Sequence, residues 1–324
     1  MKNIKRKLIL GILITFMAAI SMAEEKKTGD MPNLTPKVKA LMKEGNQFLS
    51  QNKLQEATQK FNEAIQEDKQ VEPVVRFNTG MYYGSKGEWK KAVPELEKAV
   101  DLMPKNVILH FNLANAYSSI GEDEKAIEVY KRIIKLSPKE YWPYTNLASL
   151  YEKTNNIEMG IEAYKDAIKL NPKMALLHFE IGGLYEKIKL FDDAIASYET
   201  SISLNPNHAL SHYNLGNVYL AMRDLEKAAA QFTKSFELDK GHAESYVNLG
   251  VVHMLKNEPK EAIPLFLKAI ELKPDLSRAM VNVAVAYRDI NDFKSALEYA
   301  EKAKLAGAIT DGLVQSIEAK RKEG

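Results

Sequence analysis

Six asparagines, Asn78, Asn112, Asn146, Asn214, Asn248 and Asn282, stand at multiples of 34 residues, with Glu180 in the one remaining slot of the row. A primary amide donates and accepts hydrogen bonds at once, so a regular row of them has the chemistry to hold the N–H and C=O groups of a peptide backbone. Phe77, Phe111, Phe179 and Tyr213 recur one residue before the row. Val74, Ile108, Trp142, Leu176 and Leu210 recur four residues before it, giving the amides an apolar flank. Three of the six histidines, His110, His178 and His212, also share one place in the period. Equivalent residues of neighbouring helical units are separated by roughly 8–10 Å, so His110 and His178, two units apart, are too distant to share a metal ion. They are expected to be packing residues. The chain contains no cysteine, which removes disulfides, thiolate metal sites, cysteine nucleophiles and a lipid-modified N-terminal cysteine. Phosphate-loop, dinucleotide-type glycine and zinc-protease helix motifs are absent, so no catalytic residue, cofactor or metal is expected. The methionines at 222, 254 and 280 occupy scattered places and are read as filler.

The elements that must position these residues follow from the period. Prolines at 104, 138, 172, 206 and 274 are spaced by 34 residues, with Lys240 in the missing slot. Small residues at 57, 92, 126, 160, 194, 228, 262 and 296 form a second series, and twelve positions before each lies another small residue: Gly45, Gly80, Ala114, Ala148, Gly182, Gly216, Gly250 and Ala284. Three residues after these comes a ring, from Phe48 and Tyr83 to Tyr287, and four after the first small series comes a large residue, broken only at Ala300. Apolar residues recur three and four apart on both sides of a polar break such as Gly121-Glu122-Asp123 or Asn155-Asn156, so each unit reads as two helices closed by the proline. The small residues allow the two helices to cross closely and the rings fill the wedge beside them. Pro94 and Pro264, five periods apart, are expected near the first turns of a second helix, where proline is tolerated.

This pattern resembles the tetratricopeptide repeat family, whose 34-residue helix-turn-helix carries Leu-Gly/Ala, Tyr, Ala, aromatic, Ala and Pro at set places. The resemblance implies an all-α fold, a right-handed superhelical solenoid of antiparallel helix pairs. It covers about eight units: 38–72, 73–106, 107–140, 141–174, 175–208, 209–242, 243–276 and 277–310. The first unit departs most, with Glu44 where leucine is usual, and the fourth has Gly160 for alanine. Residues 311–324, with Leu313 and Ile317 on one face, read as a C-terminal capping helix. In this family the first helices line the concave surface, and the asparagine row, at the sixth place of each unit, resembles the ladder that holds a peptide backbone in the superhelical part of the O-linked N-acetylglucosamine transferase. That enzyme's catalytic domain has no counterpart here. The family's two-carboxylate clamp is also missing, since Ile108, Met42 and Asn112 stand where its cations would be. The expected ligand is a protein or peptide segment in extended conformation, held by the six asparagines with Phe77, Phe111, Trp142, Phe179 and Tyr213. A structural role for the same asparagines, bonding between repeats, is the competing reading.

Lys2, Lys5, Arg6 and Lys7 precede an uncharged stretch from Leu8 to Ile20, followed by Ser21-Met22-Ala23. This is the pattern of a secretory signal, too short for a membrane span, and places cleavage before Glu24. Residues 24–37 are polar and aperiodic, and read as a flexible lead-in. Removing 1–23 takes four basic and no acidic side chains from totals of 45 and 43, which leaves the remainder slightly acidic and argues against nucleic-acid binding. The sequence thus predicts an exported, periplasmic or secreted, non-catalytic binding scaffold. The alternative is an envelope-assembly or secretion-complex adaptor anchored by an uncleaved N-terminus, with contact to a membrane only in that case; an enzyme or carbohydrate-binding module would need acidic or aromatic pairs in the groove.

Overall fold

The computed structural model describes residues 34–323; the expected export signal over 1–23 and the expected lead-in up to residue 33 lie outside them. Among the described residues are seventeen α-helices, one short 3-10 turn at Lys69–Val71 and no strand. The chain divides into two compact units, one ending at Leu170 and the other beginning at Asn171. The first contains α1 (Pro36–Ser50), α2 (Leu54–Glu67), α3 (Glu72–Ser85), α4 (Trp89–Leu102), α5 (Val107–Ser119), α6 (Asp123–Leu136), α7 (Trp142–Lys153) and α8 (Ile157–Leu170). The second contains α9 (Ala175–Lys187), α10 (Phe191–Leu204), α11 (Ala209–Ala221), α12 (Leu225–Leu238), α13 (Ala243–Leu255), α14 (Pro259–Leu272), α15 (Ser277–Asp289), α16 (Phe293–Leu305) and α17 (Asp311–Glu323). Odd-numbered helices up to α15 are the first, or A, helices of the repeats, and even-numbered ones are their B partners.

Each A helix ends in the same way. The fifteenth place of every repeat has positive φ: Asn52, Gly87, Gly121, Asn155, Lys189, Arg223, Asn257 and Asn291. The next residue's N–H then bonds back to the carbonyl of the ring-bearing eleventh place, as in Glu122 N to Tyr117 O at 2.9 Å and Asp224 N to Tyr219 O at 2.9 Å. This satisfies a helix-end carbonyl and turns the chain into the B helix.

The close crossing of A on B explains the eighth place. A methyl group added at Gly216 would stand 2.7 Å from the ring of Phe232, and one at Gly182 2.9 Å from that of Tyr198. The ring therefore lies directly on the glycine backbone, and the alanines of the B helix (Ala194, Ala228, Ala262) are wholly buried beside it. In the second unit the joints between repeats are partly polar. Ser201 and Ser211 hydroxyls meet at 3.0 Å with His208 Nδ1 2.7 Å from Ser211, and Ser235, Ser245 and His242 repeat the arrangement one repeat later. Helix α17 closes the second unit by burying Ile317 against Ala284, Ala296 and Ala300.

One local feature differs from the sequence reading. The lead-in is not flexible to residue 37: Leu34 is buried in the first core, the Thr35 hydroxyl accepts from Val38 N, and Pro36 opens α1. Pro94 and Pro264 sit at the sixth residue of α4 and α14, in the second turn and thus near the helix start as expected, and both helices continue through them. Their side chains face solvent, where water takes up the carbonyl that loses its N–H partner.

Candidate functional site

In the first unit the A helices bring Asn78, Asn112 and Asn146 into one polar row, and each amide is committed differently. Asn78 Nδ2 donates to Asn46 Oδ1 of the preceding repeat at 2.9 Å. Asn112 and Asn146 donate instead to carbonyls one turn back on their own helices, Ile108 O and Trp142 O, both at 2.8 Å. The Asn46–Asn78 pair uses one donor and one acceptor, which leaves the Asn46 amide N–H and the Asn78 carbonyl open. Beside the pair is a shallow cavity of about 330 Å³ lined by Asn46, Leu49, Ser50, Asn78, Met81, Tyr82 and Ser85, with no charged group.

In the second unit the row is more closed. Asn214 Nδ2 donates to Tyr198 Oη at 3.3 Å. Asn248 is buried and donates to both Asn217 Oδ1 at 2.7 Å and Tyr213 Oη at 3.3 Å, while its own Oδ1 accepts from Arg278 Nη2 at 3.1 Å. Asn282 is half-buried and makes no side-chain hydrogen bond among the described residues. The asparagine row is therefore divided between residues that join repeats (Asn78, Asn214, Asn248) and residues bonded only within their own repeat (Asn112, Asn146).

The flanking rings are less available than their spacing implies. Phe111 and Phe179 are buried and cannot be surface anchors. Phe111 packs edge-on to Trp142 at 5.3 Å between centroids, and Phe179 edge-on to His208 at 4.9 Å. The fifth place points into the seam between one A helix and the next repeat, where a ring gains more from burial than from facing water. Phe77, Trp142 and Tyr213 are half-buried, and Tyr213 spends one face on His242 at 4.7 Å. Solvent meets the second place instead: Ile108 is 36% and Leu210 45% exposed.

Sequence reasoning missed Asn46, Asn115 and Asn217, at the ninth place, one turn after the sixth. They accept from Asn78, from Tyr130 Oη at 2.9 Å and from Asn248 respectively. Their own recurrence, together with the tyrosines of the B helices that reach up to the polar row, was the available signal. Burial pushes the phenols of Tyr130 and Tyr198 above the usual range, so they remain hydrogen-bond donors.

The three histidines of the fourth place are separately engaged. His110 is buried with Nδ1 donating to Asn106 O at 2.9 Å, and burial holds its pKa below the ordinary value. His178 Nε2 donates to Pro172 O, and His212 bonds Gln231 and Pro206 O. No group of three or more His, Cys, Asp or Glu among the described residues is arranged to hold a metal ion, and no described helix is long and apolar enough to cross a membrane.

Paired helices closed by a left-handed residue, stacked with small residues at the crossings, define an all-helical repeat protein of the scaffold kind. Tetratricopeptide repeat models match residues 85–142, 143–174, 191–222, 213–277 and 277–305, more than half of the chain. The chain belongs to the tetratricopeptide repeat family. Solved structures share the fold: pilF of Pseudomonas aeruginosa (18% identity, 66% of this chain and 97% of that one, TM-score 0.55) and the Cut9–Hcn1 hetero-tetramer of the APC/C (17%, 85% and 52%, TM-score 0.50). YrrB, described as a TPR protein with an unusual peptide-binding site, is also similar (24%, 57% and 95%, TM-score 0.48). No curated protein matches the chain.

Proposed function

We propose that this protein is an exported, non-catalytic scaffold whose A helices bind an extended segment of a protein partner. The observation that carries the reading is the open amide chemistry of the A-helix row. Asn46 and Asn78 present a spare donor and a spare acceptor over the 330 Å³ cavity, and neither is consumed by the fold. Exposed Ile108 in the first unit and exposed Leu210 in the second supply apolar contacts at the second places of their own A helices. Family membership supports a protein-interaction role. Export rests on the charged start, apolar middle and small-residue exit of residues 1–23. An intact mass beginning at Glu24 agrees with cleavage, whereas retention of Met1 favours the anchored adaptor.

The test uses the asparagines that make no amide-to-amide bond between repeats. Replacing Asn112, Asn146 and Asn214 together by alanine removes a single bond between repeats, the 3.3 Å contact of Asn214 with Tyr198, and raises helix propensity. The fold should be retained or strengthened. Each lost ligand bond contributes about 0.5–1.5 kcal/mol, so the triple variant should bind its partner at least about tenfold more weakly. Undiminished binding with an unchanged melt would assign these amides to the fold alone.

A further inference from the structure

Arg278 differs from the other partly engaged arginines of the protein. Arg76 is paired with Glu72 and Glu95, and Arg288 with Asp289. Arg278 is exposed, yet it is tethered: Nη2 donates to Asn248 Oδ1, and buried Asn248 is itself fixed by Asn217 and Tyr213. A chain of amides across three successive A helices thus ends on a guanidinium. Among the described residues no carboxylate lies within ion-pair distance of it. A planar guanidinium held by one N–H presents its remaining donors to a carboxylate in the geometry that suits it best.

The same second-place row gives the surroundings. One repeat back, Glu244 is taken by Lys273 at 3.1 Å, so the middle of the row is neutralised within the protein. Two repeats back, Leu210 is 45% exposed. Along this part of the second unit the row therefore reads aliphatic, self-neutralised, cationic. Neighbouring repeats are spaced by roughly 8–10 Å, which puts Leu210 and Arg278 about 20 Å apart. An extended chain covers that distance in about six residues.

From this we infer that the second unit recognises an extended peptide segment carrying an aliphatic side chain on Leu210 and, about six residues along, an acidic side chain on Arg278. The inference rests on the scaffold reading above and adds the chemistry of the partner. Asn217 and Asn248 act as positioning residues for Arg278, which makes the contact.

The experiment is a selection from synthetic peptides on the purified, immobilised protein. The pool consists of acetylated, amidated decapeptides with Leu at position 2, either Glu or Gln at position 8, and Ala, Ser, Thr or Asn elsewhere; captured species are counted by mass spectrometry. The expected result is enrichment of Glu over Gln by about five- to tenfold, lost in Arg278→Gln and reduced in Arg278→Lys, which keeps the charge but not the fork. An arm with Gln at position 8 and a free C-terminal carboxylate should gain nothing. Capture without preference for Glu, a preference that survives Arg278→Gln, or enrichment only of the free C-terminus would each overturn this inference and leave the scaffold reading in place. Capture of no peptide at all would overturn both.

Discussion

At the scale of single residues, what decides a side chain's role is which partner its atoms reach, and spacing alone does not determine that. The six asparagines occupy one place in the sequence, yet Asn112 turns its amide onto its own helix at 2.8 Å while Asn248 bridges to Asn217 at 2.7 Å. The period found the row. It did not reveal the split, because the split depends on what the preceding repeat offers: an amide oxygen at the ninth place for Asn78 and Asn248, the Tyr198 hydroxyl for Asn214, and for Asn146 an Asn115 oxygen that already accepts from Tyr130. Glycine at the eighth place was legible as a crossing residue, and the ring of Phe232 on Gly216 shows why. Gly216→Leu should destabilise by at least about 1–3 kcal/mol, since the new side chain must displace that ring or the backbone. A melt that matches the parent would contradict the register. A second residue-scale prediction concerns His208, which burial holds below the ordinary histidine pKa. The folded state then binds the proton less readily than the unfolded chain, so the contribution is intact above about pH 6.5 and is lost as pH falls from there through the lowered folded value. Thermal melts between pH 7 and 5 should show a shallower loss of stability in His208→Gln than in the parent. Equal slopes would exclude His208 as a source of acid sensitivity.

At the scale of the helix pair, the sequence carried most of what the structure displays, because each boundary has a local chemical cause. Polar breaks such as Asn155-Asn156 mark the left-handed turn, and the prolines mark the end of the B helix. Two repeats break the turn rule. Lys189 and Arg223 hold φ of 62° and 65° where the other repeats use asparagine or glycine. A residue with a Cβ loses roughly 1–2 kcal/mol in this conformation, and glycine returns part of that through the entropy of the unfolded chain. Arg223→Gly should therefore stabilise the second unit by about 0.5–1 kcal/mol, seen as a higher denaturant midpoint with an unchanged slope; a lower midpoint would mean that the arginine side chain supports the turn. That α4 runs on through Pro94 was legible from its five-period match with Pro264; how the orphaned carbonyl is satisfied was not, since that depends on whether water reaches it. Nor was the capped start of α1, where buried Leu34 and the Thr35 cap extend order four residues before the first repeat boundary.

At the scale of the whole molecule, repeats that each bury their faces on neighbours make stability a sum of local terms, so damage at one crossing should open its own unit first. Each unit keeps a row of A-helix side chains free of the core, and this row is the basis of the functional reading. The most direct measurement places a photo-cross-linking amino acid at single positions in the living cell, at Ile108 and Leu210 on A helices and at Glu128 and Glu237 on exposed sites of B helices. The account predicts cross-links to a protein partner from Ile108 in the first unit and from Leu210 in the second, located by mass spectrometry, and none of comparable yield from Glu128 or Glu237. Cross-links of equal yield from the B helices, or none from the A helices, would contradict it.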